Sequence, residues 1–307
     1  MPSLRAETRR LLREAGIRPR RRLGQSFLAD ETVLAAILRA AELKPEQRVL
    51  EIGAGLGTLT AALAGACRQV VAVEVDAALA ALLRRRFAGD PRVLLVEGDA
   101  LSLPLPPLEA APAPGERFRV VANIPYAIAT PLLRRLLTLG GVVDRCLLMV
   151  QREVAARLTA APGGRKYGAL TLYCRYRAEP VVVAAAPREA FEPVPAVDSV
   201  LVRLDLLPRP AVTVARPDLL FALVRAGFWQ RRRKMLRNAL TASPVLRPLA
   251  GGLAAAFAAA RVAGNRRAET LSLEEFAALA EALSAAAPAL PPRIPDEEDD
   301  AEDPGGR

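Results

Sequence analysis

The stretch that most constrains the fold is Val49-Leu50-Glu51-Ile52, followed by Gly53-Ala54-Gly55-Leu56-Gly57 and then by Thr58–Ala66. A short strand-forming run, a glycine-rich break and a helical run predict strand, tight turn and helix in that order. Glycines at such a turn let a ligand approach the backbone closely and leave N–H groups at the helix start. The spacing is G-x-G-x-G. It is neither the G-x-G-x-x-G of dinucleotide folds nor a phosphate loop with G-K-[ST], so it favours a nucleoside with a carboxylate-bearing tail over one with a pyrophosphate. Two more strands follow. Val70–Glu74 ends in an acid placed, at roughly twenty residues past the glycines, where a carboxylate can accept both ribose hydroxyls. Asp76, just beyond, suits the N-cap of a helix Ala77–Phe87. Val93–Val96 runs into Glu97-Gly98-Asp99-Ala100, where Asp99 can accept the amino group of an adenine or serve the turn after Gly98. Three successive strands that each end in a ligand-type residue outline an adenosine site on an α/β fold.

A fourth strand end completes the pattern. Val120-Val121-Ala122 leads into Asn123-Ile124-Pro125-Tyr126, an amide, a rigid proline and an aromatic ring after a buried run. In an open α/β sheet the loops at the carboxyl ends of strands bind ligands. The Asn123 side-chain carbonyl and the main-chain carbonyl of Ile124 or Pro125 can each accept one N–H of a heteroaromatic amine, with Tyr126 stacked on its ring. Pro125 contributes no N–H and a fixed φ, which removes a competing donor and stiffens the carbonyls. Taken alone, the same residues also suit an ordinary strand-end turn.

Composition narrows the chemistry further. There is no histidine, which excludes Ser-His and Cys-His catalysis and His-ligated metal. Cys67, Cys146 and Cys174 are widely separated and suit a reducing cytosol better than a disulfide framework or a zinc site. No metal is expected. The uncharged run Ile52–Cys67 is too short and too glycine-rich for a membrane span, and the N-terminal residues lack an apolar signal core, so a cytoplasmic protein is expected. The net charge is +10, but seven of the 33 acids and one of the 43 bases fall in residues 296–307, which leaves +16 on the rest. Such a surplus predicts a polyanionic partner, with nucleic acid foremost.

The remaining chain suggests an order of domains: a basic arm over residues 1–22, expected to be flexible; a catalytic domain over 23–207; a helical domain over 208–286 after the Leu207-Pro208-Arg209-Pro210 linker; and a disordered Pro-rich, acidic tail over 287–307. Asp30 is a fitting N-cap for a helix to about Ala41, preceded by Gly24-Gln25-Ser26-Phe27-Leu28. Thr130-Pro131 reads as N-cap and first residue of a helix to about Leu139. Cys146–Val150, Ala169–Tyr176 and Ser199–Asp205 read as strands, with a helix over Gln151–Leu158. Phe191, on a proline-stiffened loop, suits either a second ring for a base or a core anchor. In the helical domain, Arg231, Arg232, Arg233, Lys234 and Arg237 place five cations in seven positions, dense enough to favour phosphate contacts.

In this order the motifs GQSFLAD (24–30), EIGAGLGTLT (51–60), EVD (74–76), EGDAL (97–101), NIPY (123–126), TPLL (130–133), PGGRKYGAL (162–170), FEPVPAVDSVLVRL (191–204) and FWQRRRKMLRNAL (228–240) resemble the ribosomal RNA adenine dimethyltransferases, and most closely their bacterial small-subunit branch. The likeness covers roughly residues 20–285. It implies a Rossmann-like methyltransferase domain on a mostly parallel seven-stranded sheet with a smaller C-terminal helical domain. S-adenosylmethionine is the implied methyl donor, and the implied acceptor is N6 of two adjacent adenosines in a hairpin loop near the 3′ end of small-subunit rRNA, modified in the immature subunit by a monomeric enzyme. Carried onto this chain, the resemblance gives Gln25, Ser26, Leu28, Gly53, Gly55, Glu74, Asp99, Ala100 and Asn123 to the cofactor. Asn123, Pro125 and Tyr126 go to the reacting base, and Tyr126, Phe191 and the five cations to the RNA. The family more often has Asn or His at Ser26, Pro at Ala54 and Asn at Ala127. Two other readings compete: a large-subunit adenine methyltransferase of the macrolide-resistance type, and a ribosome-assembly factor in which methylation is secondary.

Overall fold

A computed structural model of the chain describes residues 3–20, 24–125, 128–229 and 234–286. Tyr126, Arg231, Arg232, Arg233 and the segment 287–307 lie outside the described residues. In chain order the elements are α1 (Leu4–Glu14), β1 (Phe27–Leu28), α2 (Glu31–Ala41), β2 (Arg48–Ile52), α3 (Thr58–Ala64), β3 (Gln69–Glu74), α4 (Ala77–Arg86), β4 (Val93–Glu97), β5 (Phe118–Asn123), α5 (Ala129–Leu137), β6 (Val143–Gln151), α6 (Arg152–Leu158), α7 (Ala169–Arg177), β7 (Ala178–Ala186), β8 (Phe191–Glu192), β9 (Ser199–Leu206), α8 (Pro217–Trp229), α9 (Leu236–Ala242), α10 (Leu253–Ala259) and α11 (Leu273–Ala286). They form two compact units, one of residues 1–159 with 177–209, the other of 160–176 with 210–307.

The first unit is built on a seven-stranded sheet of order β4-β3-β2-β5-β6-β9-β7. β2 pairs in parallel with both β3 and β5, β3 with β4, and β5 with β6, while β9 runs antiparallel to β6 and β7. Every residue of β2 is buried, as expected of a parallel strand covered on both faces. One face packs Val33, Ile37 and Ala41 of α2 and Leu59 and Leu63 of α3 onto Val49, Val70, Val121 and Leu147. Each such fully buried aliphatic side chain contributes about 1.5–3 kcal/mol relative to exposure. The caps hold as the sequence predicts: Asp30 accepts the Val33 N–H at 2.9 Å, and Asp76 accepts the Ala78 N–H at 2.9 Å. The α5 helix starts earlier than expected, at Ala129, with Ile128 rather than Thr130 as its N-cap, so Pro131 lies within its first turn.

Strands β2, β3 and β4 spread from the centre in one direction and β5 and β6 in the other, so the strand order reverses between β2 and β5. Ligands of open α/β sheets bind at this reversal, outside the carboxyl ends of the strands. A separate two-stranded antiparallel sheet pairs Leu28 of β1 with Phe191 of β8 and Phe27 with Glu192.

Two expectations are corrected and one strand is added. The basic N-terminal segment is not a flexible arm over residues 4–14. It forms α1, capped by the Ser3 hydroxyl, with Leu4 and Leu11 buried. Leu11 packs with Phe27, Leu56, Leu79 and Leu82. Arg5 and Arg9 both pair with Glu192, at 3.0 and 2.9 Å, so these arginines are engaged within the unit. Residues 169–176, expected as a strand, form helix α7, and the segment 160–176 groups with the second unit instead of the catalytic sheet. The alternation of Leu, Thr, Tyr and Cys suggests a strand, but Leu172 and Tyr176, four residues apart, join one helical core face. Finally, β7 carries no clear sequence signal. It is an edge strand with Pro180 in it and much of its length exposed, so it lacks an apolar alternation.

The second unit is helical. Its core gathers Leu219, Leu220, Leu223 and Val224 of α8, Leu236 and Leu240 of α9, Leu253 and Phe257 of α10, and Phe276, Leu279 and Leu283 of α11 around Tyr167 and Leu172. The buried Tyr167 hydroxyl donates to the Leu271 carbonyl at 2.8 Å. Among the described residues no helix is long and apolar enough to cross a membrane, and no group of three His, Cys, Asp or Glu side chains is arranged to hold a metal ion.

Candidate active site

At the strand-order reversal the first unit opens a cleft enclosing about 1060 Å³ of space, its mouth included. Its walls come from residues 24–28, the β2–α3 turn, the ends of β3, β4 and β5, and Phe191. The floor is bare backbone. Gly53 and Gly55 adopt φ of +76° and +59°. A Cβ on Gly55 would stand 3.1 Å from the Phe27 ring, and one on Gly53 would meet Pro125 Cδ at 3.6 Å and the Asn123 carbonyl at 3.7 Å. Side chains at either position would meet the residues facing the turn, in a conformation L-residues rarely adopt.

The N–H groups of this turn point to protein acceptors. Those of Gly53 and Ala54 donate to the Val73 carbonyl, that of Gly57 to the Ala54 carbonyl, and that of Gly55 to Glu74 Oε2 at 2.8 Å. A turn so occupied does not cradle a pyrophosphate. This agrees with the missing dinucleotide spacing.

Carboxylates set the electrostatics. Glu74, at the end of β3 and 5% exposed, accepts the N–H groups of Gly55 and of Asp76, the latter at 2.9 Å. Burial pushes its pKa above the usual glutamate range, the two backbone donors oppose that rise, and the neighbouring Asp76 charge adds to it. Its two oxygens retain acceptor capacity for ligand hydroxyls, since an ionised carboxylate has about four lone-pair sites. Glu51, one residue before the end of β2, also lines the cleft and is fully enclosed. Burial pushes its pKa up to about 8, the nearby Thr60 hydroxyl opposing the rise and the Glu74 charge reinforcing it. Its buried Oε2 has no hydrogen-bond partner. An unpartnered buried carboxylate oxygen is costly unless something cationic or protonated meets it. Glu51 was not among the residues expected to act. Its signal is an acid inside the otherwise apolar run Val49-Leu50-Glu51-Ile52, in a strand buried on both faces.

Asp99 lies at the rim, exposed, where its Oδ1 caps the Leu101 N–H at 2.9 Å; beside it Ala100 is buried. It therefore serves the turn and lines the cleft together. Gln25 bridges two neighbours: its Nε2 donates to Asp76 Oδ2 at 3.1 Å and its Oε1 accepts the Arg20 N–H at 2.8 Å. Arg20 also pairs with Asp76, at 3.2 Å. Asp76, singled out from sequence only as a helix cap, is thus the post that holds Gln25 at the wall. The Ser26 hydroxyl donates to the Pro193 carbonyl at 2.6 Å, and the Ser26 carbonyl accepts from Asn123 Nδ2 at 3.2 Å. With its amino group so engaged, the Asn123 amide keeps its carbonyl oxygen as the half able to accept from a ligand. The Pro125 carbonyl accepts the Ile128 N–H at 3.1 Å, which leaves Ile124 as the better placed of the two main-chain acceptors.

Leu28 is buried in the wall against Phe191. Phe191 itself is 1% exposed and packs with Leu28, Ala186 and Leu201. Of the two roles its sequence context allows, the structure favours the core anchor: the ring forms the wall of the cleft and presents no open face for stacking. The structure thus gathers Gln25, Ser26, Leu28, Gly53, Gly55, Glu74, Asp99, Ala100, Asn123, Pro125 and Phe191 around one cleft. Lys234 and Arg237 are exposed in the second unit. The three cysteines are buried and none lines the cleft; burial lifts the Cys67 and Cys174 thiols to about 11 and 12, far from a reactive thiolate.

An open sheet of this order, with a bare glycine floor and an acid-lined cleft at its reversal, is that of a Rossmann-like S-adenosylmethionine-dependent methyltransferase. The residues present fit that cofactor: the glycine floor leaves room a Cβ would fill, and the orphaned Glu51 oxygen with Glu74 suits a ligand bearing sulfonium and ammonium charges. Residues 16–285 match the ribosomal RNA adenine dimethylases, and the chain belongs to that family. The chain is 43% identical over 283 residues to a ribosomal RNA small subunit methyltransferase A of Moorella thermoacetica, covering 89% of this chain and 95% of that one. It is 45% identical over 280 residues to its namesake in a Synechococcus species, covering 86% and 93%. Among solved structures it is similar to a dimethyladenosine transferase from Plasmodium falciparum, with a TM-score of 0.67 and 26% identity over 82% of this chain and 95% of the other. It is also similar to the 23S rRNA methyltransferase ErmE, with a TM-score of 0.61 and 30% identity over 84% and 99%.

Proposed function

We propose that this chain dimethylates N6 of two adjacent adenosines in a hairpin loop near the 3′ end of small-subunit rRNA, acting as a cytoplasmic monomer on the immature subunit. The observation that carries the chemistry is the orientation of Asn123, whose amino group is held by the Ser26 carbonyl so that its own carbonyl can accept. Asn123 Oδ1 and the Ile124 carbonyl take the two N–H groups of the target amine, and Tyr126 stacks on the ring. Two acceptors draw the nitrogen lone pair out of conjugation and make a poor nucleophile usable.

S-adenosylmethionine supplies the methyl group on a sulfonium. Glu74 would hold its ribose hydroxyls, Asp99 its adenine amino group, and the Gly53–Gly55 backbone its methionine portion, with Gln25, Ser26, Leu28 and Ala100 as walls. Glu51 would accept its ammonium. Bound there, the cofactor would present an electrophilic methyl group to the amine held by Asn123 and Ile124, and the excess proton of that amine would pass to water. With no histidine in the chain, catalysis rests on alignment, which can supply up to about 7–11 kcal/mol. Reaching N6 requires an unpaired or flipped base.

The relatives named for the small subunit, at 43% and 45% identity, support that substrate over the large subunit, although ErmE shares the fold. Primer extension on both rRNAs from a strain lacking the gene separates the two. Doubly methylated N6 has no Watson–Crick donor and halts reverse transcription. The proposal expects the strain to lose a stop at paired adenosines near the small-subunit 3′ end. Loss of a large-subunit stop with that hairpin unchanged refutes it.

A further inference from the structure

The turn that would hold the cofactor's adenine is fixed from outside by one arginine that no step of the proposed reaction uses. Residues 99–103 wind into a single helical turn. The Asp99 carbonyl accepts the N–H groups of Ser102 and Leu103, both at 2.9 Å, and Asp99 Oδ1 accepts that of Leu101, also at 2.9 Å. The second carboxylate oxygen of Asp99 is then the one left for a ligand. Leu103 folds back over Gly98, where an added Cβ would collide with its Cδ1, and the Gly98 N–H donates to the Glu74 carbonyl at 2.9 Å. The start of the turn is therefore tied to the strand end that carries Glu74.

A single turn leaves its last carbonyls without intrahelical partners. Arg135 meets them. Its Nη1 donates to the Ala100 carbonyl at 2.8 Å and its Nη2 to the Leu103 carbonyl. The guanidinium is a planar fork, so one side chain spans two acceptors that the point charge of a lysine does not span in the same way. Both acceptors are neutral main-chain oxygens, and the arginine is half-buried, so its charge is spent on the shape of the turn. The fork stands on a fixed base: Leu132, Leu133, Leu136 and Leu137 of α5 are all buried. Asp99 and Ala100 line the cleft, and Arg135 supports them from the far end of their own turn.

We propose that Arg135 is a positioning residue for the cofactor: by capping the Asp99–Leu103 turn it holds the Asp99 carboxylate where it accepts the adenine amino group. This rests on the reading that the cleft takes S-adenosylmethionine with its adenine at Asp99, and two ligands keep the claims apart. They are S-adenosylhomocysteine and its analogue with hydrogen in place of the adenine amino group, each titrated by calorimetry into the full-length protein. The parent should bind the first about 10- to 100-fold more tightly, the range of a hydrogen bond to a charged group. Arg135→Met keeps an apolar stem and loses the fork. It should bind the two ligands within about threefold of each other, mainly through weaker binding of the first. Arg135→Lys should give a ratio between these. In the ligand-free Arg135→Met variant, hydrogen exchange should quicken at the Ser102 and Leu103 N–H groups while β2 and α5 keep their protection. A merely structural role would weaken both ligands alike and leave the ratio at the parent's value. That result, or unchanged exchange in the turn, overturns the role of Arg135 while the adenine site stands. Should Arg135→Met fail to fold, Arg135→Lys decides in the same way: a ratio below the parent's supports the proposal and an equal one overturns it. A parent that binds both ligands alike refutes the placement of adenine at Asp99, and the proposal with it.

Discussion

In the first unit the groups that define the site are carboxyls buried at or next to strand ends, Glu51 and Glu74, whereas in the second the notable groups are exposed cations, Lys234 and Arg237 among them. The first set is fixed by backbone: Glu74 is gripped by two N–H groups and Asn123 by a carbonyl. The second set sits outside a core that is complete without it. A buried, oriented polar group suits a small ligand whose atoms must be aligned, and an exposed cation suits a polyanion bound mainly by charge. Substitutions in the first unit should therefore act on turnover and cofactor affinity with little salt dependence, and those in the second on RNA affinity with strong salt dependence.

The largest effect is expected from Asn123→Ala. Losing one oriented group at the reacting amine should lower the rate of methyl transfer by about 10²-fold or more, with rRNA affinity retained; full activity would remove the amide from the chemistry. Glu74→Gln should follow. The amide sets an NH₂ against the Gly55 or Asp76 donor and loses charge, so cofactor affinity measured by calorimetry should fall about 10- to 100-fold, as for a hydrogen bond to a charged group. Lys234→Ala with Arg237→Ala should weaken rRNA binding less at physiological salt. It should also reduce the salt slope by about 0.7–0.9 for each phosphate no longer neutralised, and leave turnover at saturation alone. If turnover falls instead, the division of labour between the units is wrong.

The smallest effect tests Glu51 through stability. Its pKa in the fold, about 8, exceeds the ordinary 4.5, so the folded state holds the proton more tightly than the unfolded one. The ligand-free protein should lose stability as pH rises from about 4.5 to about 8. Glu51→Gln removes that dependence. It should raise the melting temperature by about a few degrees at pH 9 and hardly change it at pH 5. A parent and variant that respond alike to pH would contradict the burial of an unpartnered carboxyl.

Much of the cleft was legible because its parts lie at strand ends, where local pattern and ligand chemistry coincide. The glycine turn, Glu74, Asp99 and Asn123 each follow a run whose periodicity announces a strand. What escaped depends on long-range packing. Asp76 holds Gln25 across 51 positions in sequence, α1 becomes a helix through Glu192 and the cluster around Phe27, and the α7 segment turns helical because Leu172 and Tyr176 are buried in the core of the second unit, whose other residues follow position 209. Glu51 was hidden in plain view, since one acid in a strand looks like a solvent-facing position until both faces prove covered.

The central claim is that this cleft dimethylates adenine in small-subunit rRNA, and mass spectrometry of nuclease-digested rRNA tests it most directly. Purified protein, S-adenosylmethionine and immature small subunits from a strain lacking the gene should yield N6,N6-dimethyladenosine at two adjacent positions in a 3′-terminal hairpin fragment, with none from the Asn123→Ala variant. Unmodified adenosine at that site, or dimethyladenosine appearing only in large-subunit rRNA, would contradict the account.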